Sequence, residues 1–306
     1  QDLQELREEL GGRLSSNAER LAALERRSLA SGRVIAGSVP SVVFLQGAYS
    51  FREVSTGRML RHVVDEDGRP LMSPRGQPLL SLEGEGPVAE REFTGTAFAV
   101  GDDGVLVTNR HVALPWEYDA DIEALAAHNL EPLMVRFIVY LPGRPAAAEV
   151  EFLRASDDAD LAILRRTEGA GSLPGLKLAE VTPTPGDEVI VLGYPTGLRS
   201  MLAQAGEAFI NELQKTEDIG FWNVAERLAE GGHIIPLASR GIVGQVTPAT
   251  IVYDAETTHG GSGGPVLDMS GAVIAVNAAI LPEYGGSNLG VPVGPLRALL
   301  AEASSY

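Results

Sequence analysis

Apolar residues recur along this chain at two different periods, and the change from one to the other divides it. Over residues 1–30, Leu3, Leu6, Leu10, Leu14, Leu21 and Leu24 return at steps of three, four and seven, with Glu and Arg between them. That spacing marks one face of an α-helix. The step from Leu10 to Leu14 breaks a strict heptad and Gly11-Gly12 weakens the middle. The segment therefore reads either as a stalk or homo-oligomerisation helix, or as a surface helix packed on its own domain. From Arg33 the pattern shortens to strand-like runs. Residues 39–45, 96–100, 104–108, 135–140, 161–164, 188–192, 241–246, 251–253 and 273–277 are β-rich and bounded by turn residues. Residues 54–92, rich in Gly, Pro and charge, predict a long surface loop or hairpin. Residues 117–128 and 207–230 have helical composition, and 295–303 predict a short closing helix. Gly186-Asp187 is a natural crossover between two β halves, and no internal repeat is present.

Composition supports an all-β protein. The 35 glycines and 19 prolines are spread along 306 residues rather than gathered in one tract, as many short strands joined by turns require. The formal net charge of −17 comes without a basic stripe, so a nucleic-acid partner is disfavoured. There is no cysteine, which removes a thiol nucleophile and thiolate metal sites. No apolar run reaches the roughly 18 residues of a membrane span. The chain opens at Gln1 rather than Met, which leaves room for an upstream signal or anchor removed in processing.

Three separated segments carry chemistry. Ser262 lies in Thr258-His259-Gly260-Gly261-Ser262-Gly263-Gly264-Pro265-Val266. Glycines before a serine let the backbone turn its N–H groups toward one point. The turn Gly260-Gly261-Ser262 is therefore the candidate oxyanion hole, with Gly260 and Ser262 as donors. His111 follows the apolar run 105–107 and Thr108-Asn109-Arg110, so a strand can hold its imidazole. Asp160 directly precedes Leu161-Ala162-Ile163-Leu164, where an acid is half-buried yet reaches a neighbouring loop. His62 lacks an apolar strand before it, and His128, His233 and His259 show no metal-ligand spacing. Neither a metal nor any other cofactor is expected. The order His, Asp, Ser is that of the chymotrypsin type, not of α/β-hydrolases or subtilisins.

Thr108-Asn109-Arg110-His111-Val112, Asp160-Leu161-Ala162-Ile163-Leu164 and Gly260-Gly261-Ser262-Gly263-Gly264-Pro265 resemble the signature blocks of trypsin-like serine proteases. The nearest variety is the bacterial HtrA/Deg type. The resemblance covers about residues 38–300. It implies two six-stranded antiparallel β-barrels, residues 33–180 and 181–306, following a helical segment at 1–32. It further implies a serine endopeptidase with a polypeptide substrate, and it leans toward a bacterial periplasm or cell envelope, with a cytoplasmic regulatory protease as the other setting. The HtrA type usually continues into a PDZ domain, for which these 306 residues leave no room. Pancreatic enzymes carry an aspartate before the nucleophile that pairs with a newly cut N-terminus. Gly261 stands there, so control by loop ordering or by an activating protein partner is expected instead.

The same resemblance assigns specificity residues. Val276-Asn277-Ala278-Ala279 is the strand expected to pair with an extended substrate, and Gly290 is expected on the pocket wall. Glu256, six residues before Ser262, stands where the family places the pocket floor. A buried carboxylate there favours Arg or Lys at the cleavage site. With Glu256 in solvent, Thr257, Val276 and Ala279 line a pocket for small aliphatic residues. A glutamyl preference is disfavoured because Asn277 replaces a histidine. Two rivals stand beside the enzyme: a protease-like binding module with a latent triad, and an adaptor built on residues 1–30.

Overall fold

The computed structural model describes residues 3–101, 104–167, 173–216, 219–256, 260–281 and 287–303. A long helix, α1 (Leu3–Ser38), leads into β1 (Val42–Glu53). An arm follows, holding the two-residue strands β2 (Arg61–His62) and β3 (Leu80–Ser81), which pair with each other. Next come β4 (Arg91–Ala99), β5 (Val105–Thr108), a single turn α2 (Arg110–Ala113), a short helix α3 (Ile122–Ala127), β6 (Leu130–Tyr140), β7 (Ala147–Ala155) and β8 (Ala162–Arg166). The order β1-β4-β5-β8-β7-β6 closes a first barrel. After β9 (Glu188–Gly193) the helices α4 (Leu198–Leu213) and α5 (Phe221–Glu230) intervene. Then β10 (Leu237–Val246), β11 (Ile251–Tyr253), β12 (Pro265–Leu267), β13 (Val273–Leu281) and β14 (Ser287–Pro292) lead to α6 (Val293–Ala303). The order β10-β11-β14-β13-β12-β9 closes a second barrel, and every strand pairing within the two barrels is antiparallel.

Alternation along the strands sends one set of side chains into each barrel. Val43, Leu45, Leu106, Val139 and Leu164 fill the first, and Val189, Val191, Val243, Ile251 and Val266 fill the second. The opposite faces are not left to water. Val42, Phe44, Phe98, Val107 and Ile163 from the first barrel meet Ile190, Leu192, Tyr194, Leu267 and Val276 from the second in one shared core. Each such side chain stabilises the fold by about 1.5–3 kcal/mol relative to exposure. The Phe44 and Tyr194 rings lie 5.3 Å apart, and the Tyr194 hydroxyl donates to Val42 O at 3.3 Å.

Several elements differ from the sequence reading. The helix expected over 1–30 continues to Ser38, because Val34 and Ile35 pack against the shared core and Ser38 is buried. Residues 39–41 form a 3-10 turn instead of opening the first strand, since Pro40 has no N–H for a ladder. The helical stretch at 207–230 is two helices with Gly220 at the start of the second. Strand β7 is hidden in a polar run, where Glu149 and Glu151 point outward between the buried Ala148 and Val150.

Candidate active site

His111 lies in the turn α2 at the end of β5. Before it, Thr108 and Asn109 are fully buried. The Asn109 side chain donates to the backbone oxygen of Asp160 at 2.8 Å, tying the two loops together. The carboxylate of Asp160 then uses both oxygens on His111. Oδ1 accepts from its backbone N–H at 3.0 Å, and Oδ2 lies 2.7 Å from Nδ1. A carboxylate only accepts, so Nδ1 carries a proton, and in the neutral ring the lone pair falls on Nε2. Asp160 is positioned by a turn in which Ser156 Oγ accepts from the N–H groups of Asp158 and Ala159. Arg110 reaches the same turn through Ser156 O at 2.6 Å.

Ser262 reaches this region through backbone bonds. Its carbonyl accepts from Thr96 N at 3.0 Å, and Thr96 O in turn accepts from the Thr108 hydroxyl at 2.8 Å. Two glycines are obligatory in the turn. Gly260 has φ 94° and Gly263 φ 87°, and a Cβ on Gly263 would stand 2.1 Å from Thr96 O. Among the described residues, nothing accepts a hydrogen bond from the N–H groups of Gly260, Gly261 or Ser262. These donors are free for a ligand oxygen. The Ser262 hydroxyl is within hydrogen-bond distance of Ala278 O at 3.1 Å, and no hydrogen bond joins it to His111.

The specificity residues are placed unevenly. Glu256 is exposed and lines a cavity with Val191, Gly193, Pro195, Leu237, Ala238 and Ser239, so it does not form a buried pocket floor. Thr257 lies outside the described residues. Val276 is fully buried in the shared core, and the Asn277 side chain turns inward, where it donates to Gly261 O. Ala278 falls at the register shift of β13 against β14, which runs from Asn277↔Gly290 to Ala279↔Leu289. A bulge of this kind frees a backbone position from the ladder. Gly290 is buried beneath Tyr253 and Ala275, and a Cβ there would approach Ala275 Cβ to 2.9 Å.

One neighbour of the imidazole escaped the sequence reading. Tyr118 stands edge-on to His111 with ring centroids 5.9 Å apart, although it is 64% exposed. Its loop is clamped twice. Arg110 holds Glu117 through two hydrogen bonds of 2.7 and 2.9 Å. Asp119 accepts from Tyr49, from Arg91 and from the backbone of Asp121. Burial alone raises the Asp119 pKa. The bonds from Asp121, Tyr49 and Arg91 outweigh burial and hold it below the ordinary carboxylate value. Burial and the Asp119 charge push Tyr49 up to about 12. The pair Arg110 and Glu117, seven residues apart around His111, was the available signal.

Two closed barrels with an acid-held imidazole and a glycine-framed serine turn near their shared core define a trypsin-like, two-barrel architecture. Residues 95–276 match the trypsin-like peptidase domain, and the chain belongs to that family. It is 26% identical over 221 residues to the serine protease HTRA1 of Xenopus tropicalis, covering 71% of this chain and 38% of that protein. It is 24% identical over 204 residues to a probable periplasmic DegP-like serine endoprotease of Brucella suis, covering 66% and 30%. The chain thus spans less than two-fifths of these relatives. Among solved structures, the active form of the Rv3671c protease of M. tuberculosis superposes with a TM-score of 0.52 at 18% identity, covering 90% of this chain and 85% of that one. That likeness is one of fold.

Proposed function

We propose that the chain is a serine endopeptidase that cleaves polypeptides through an acyl-enzyme. The observation that carries this reading is the His111–Asp160 pair, with Nδ1 engaged by the carboxylate, in a site where no acceptor among the described residues takes the N–H groups of Gly260 and Ser262. Ser262 Oγ attacks the peptide carbonyl while Nε2 takes its proton. The two N–H groups receive the oxyanion, and His111 returns the proton to the leaving amine. Water then attacks the ester with His111 as base again. The freed backbone around Ala278 supports an extended substrate strand, and the exposure of Glu256 supports small aliphatic residues at the cleavage site over Arg or Lys.

The reaction needs the Ser262 hydroxyl to rotate from Ala278 O toward Nε2, a rotamer change of the ps–ns class at a partly exposed side chain. The bond to Ala278 is the observation that favours the second reading, a binding module with a latent triad. The test is labelling with a fluorophosphonate, with and without substrate protein, followed by hydrolysis of paired Val and Arg peptides. We expect wild type to be labelled, Ser262→Ala not, and Val to be cleaved in preference to Arg. Absence of labelling under every condition overturns the enzyme; preference for Arg overturns the pocket.

A further inference from the structure

We infer that Asn277 is a positioning residue, a strut that holds the turn around Ser262 in the shape that presents the Gly260 and Ser262 N–H groups. The inference rests on the acyl-transfer reading above. Asn277 is 2% exposed on β13. Its Nδ2 donates to Gly261 O at 2.9 Å, and the Tyr253 hydroxyl donates to its Oδ1 at 2.5 Å. The orientation of the amide is fixed by its partners, since the Gly261 carbonyl can only accept. Burial drives the Tyr253 pKa far upward, which keeps the phenol a donor. The backbone of Asn277 completes the contact: its oxygen accepts from Gly263 N at 2.8 Å and its N–H donates to Gly264 O at 2.9 Å.

One residue therefore grips the turn at Gly261, Gly263 and Gly264, on both sides of Ser262. Gly261 has no side chain with which to anchor itself. The anchoring group comes instead from β13, backed by Tyr253 on β11, and both are present without any cut in the chain. A satisfied buried network of this kind fixes a single geometry, because breaking one member leaves a buried polar group unpaired. A shift of the turn by about 1 Å would displace the oxyanion donors enough to cost roughly 100-fold in rate.

The experiment uses the full chain and the double variant Asn277→Leu/Tyr253→Phe, which replaces both side chains of the pair by apolar groups of similar size and leaves Gly261 O the N–H of Gly264 at 3.1 Å. Three quantities are read: the rate of fluorophosphonate labelling of Ser262, kcat and KM on fluorescein-labelled casein, and amide hydrogen exchange of residues 260–264. We expect labelling and kcat to fall roughly 10- to 100-fold. KM should stay within about twofold, and exchange at 260–264 should quicken while that of 188–193 is unchanged. A folded double variant that labels at the wild-type rate with unchanged exchange overturns the inference. Should that variant not fold, Tyr253→Phe alone decides: slowed labelling supports the strut and a wild-type rate removes it. If wild type itself never labels, the peptidase reading fails, while the exchange comparison still judges the strut.

Discussion

Asp160 sets both the place and the tautomer of His111, because one oxygen holds the backbone N–H and the other holds Nδ1. An amide in its place keeps the size and loses this discrimination: one end of Asn can only donate, and the ring is then free to present the wrong nitrogen. Asp160→Asn should lower kcat by roughly 10⁴ with little change in fold, as read from steady-state turnover and circular dichroism. These residues were legible because each sits at a fixed distance from a strand or a glycine, and that spacing survives in the linear sequence. Glu256 and Asn277 were not. Counting six residues back from Ser262 locates a position but not a direction, and Glu256 points outward. Asn277 follows Val276 in a strand whose alternation says only that the two face opposite ways. Both are buried, one in the shared core and one against Gly261.

At the scale of elements, most strands could be read from periodicity and their closure into two barrels from the family resemblance, whereas the loops between them could not. The residues expected to form one helix at 117–128 give instead a 3-10 turn over Pro115–Tyr118 and the short α3. Their shape is set by long-range partners, above all Tyr49 on β1 and Arg91 on β4. Helix α5 is likewise fastened from a distance, by Gln46 to Phe221 O at 2.8 Å and by Arg136 over the Trp222 ring at 4.4 Å. The Asp119 clamp has a pH signature. Its folded pKa is lowered, so its stabilisation is fully present above the ordinary value of 3.8 and is lost as pH falls through the lower folded value. Asp119→Asn should therefore melt below wild type at pH 6, and the gap should close as the pH drops beneath 3.8. A gap in Tm that persists unchanged to pH 2 would remove the clamp from the account.

For the whole molecule, the N-terminal helix stands apart in its packing. Among its described side chains, Val34 and Ile35 in the last turns join the core, whereas Leu14, Leu21 and Leu29 are more than 60% exposed. That supports the proposal that residues 1–30 join copies of this chain. Deleting them should reduce the number of chains per particle measured by light scattering while fluorophosphonate labelling persists; an unchanged number would leave the helix a surface element.

Tyr194 gives the junction between the barrels a second meaning. Its ring and hydroxyl are seated in the first barrel, while its N–H donates to Thr96 Oγ1, which itself donates to Gly260 O. How snugly the two halves sit thereby bears on the carbonyl of Gly260, the residue whose amide we propose as an oxyanion donor. On the proposed reading, a force or ligand that pried the halves apart by a fraction of an ångström would dull the surroundings of Ser262 without touching His111, Asp160 or Ser262 itself.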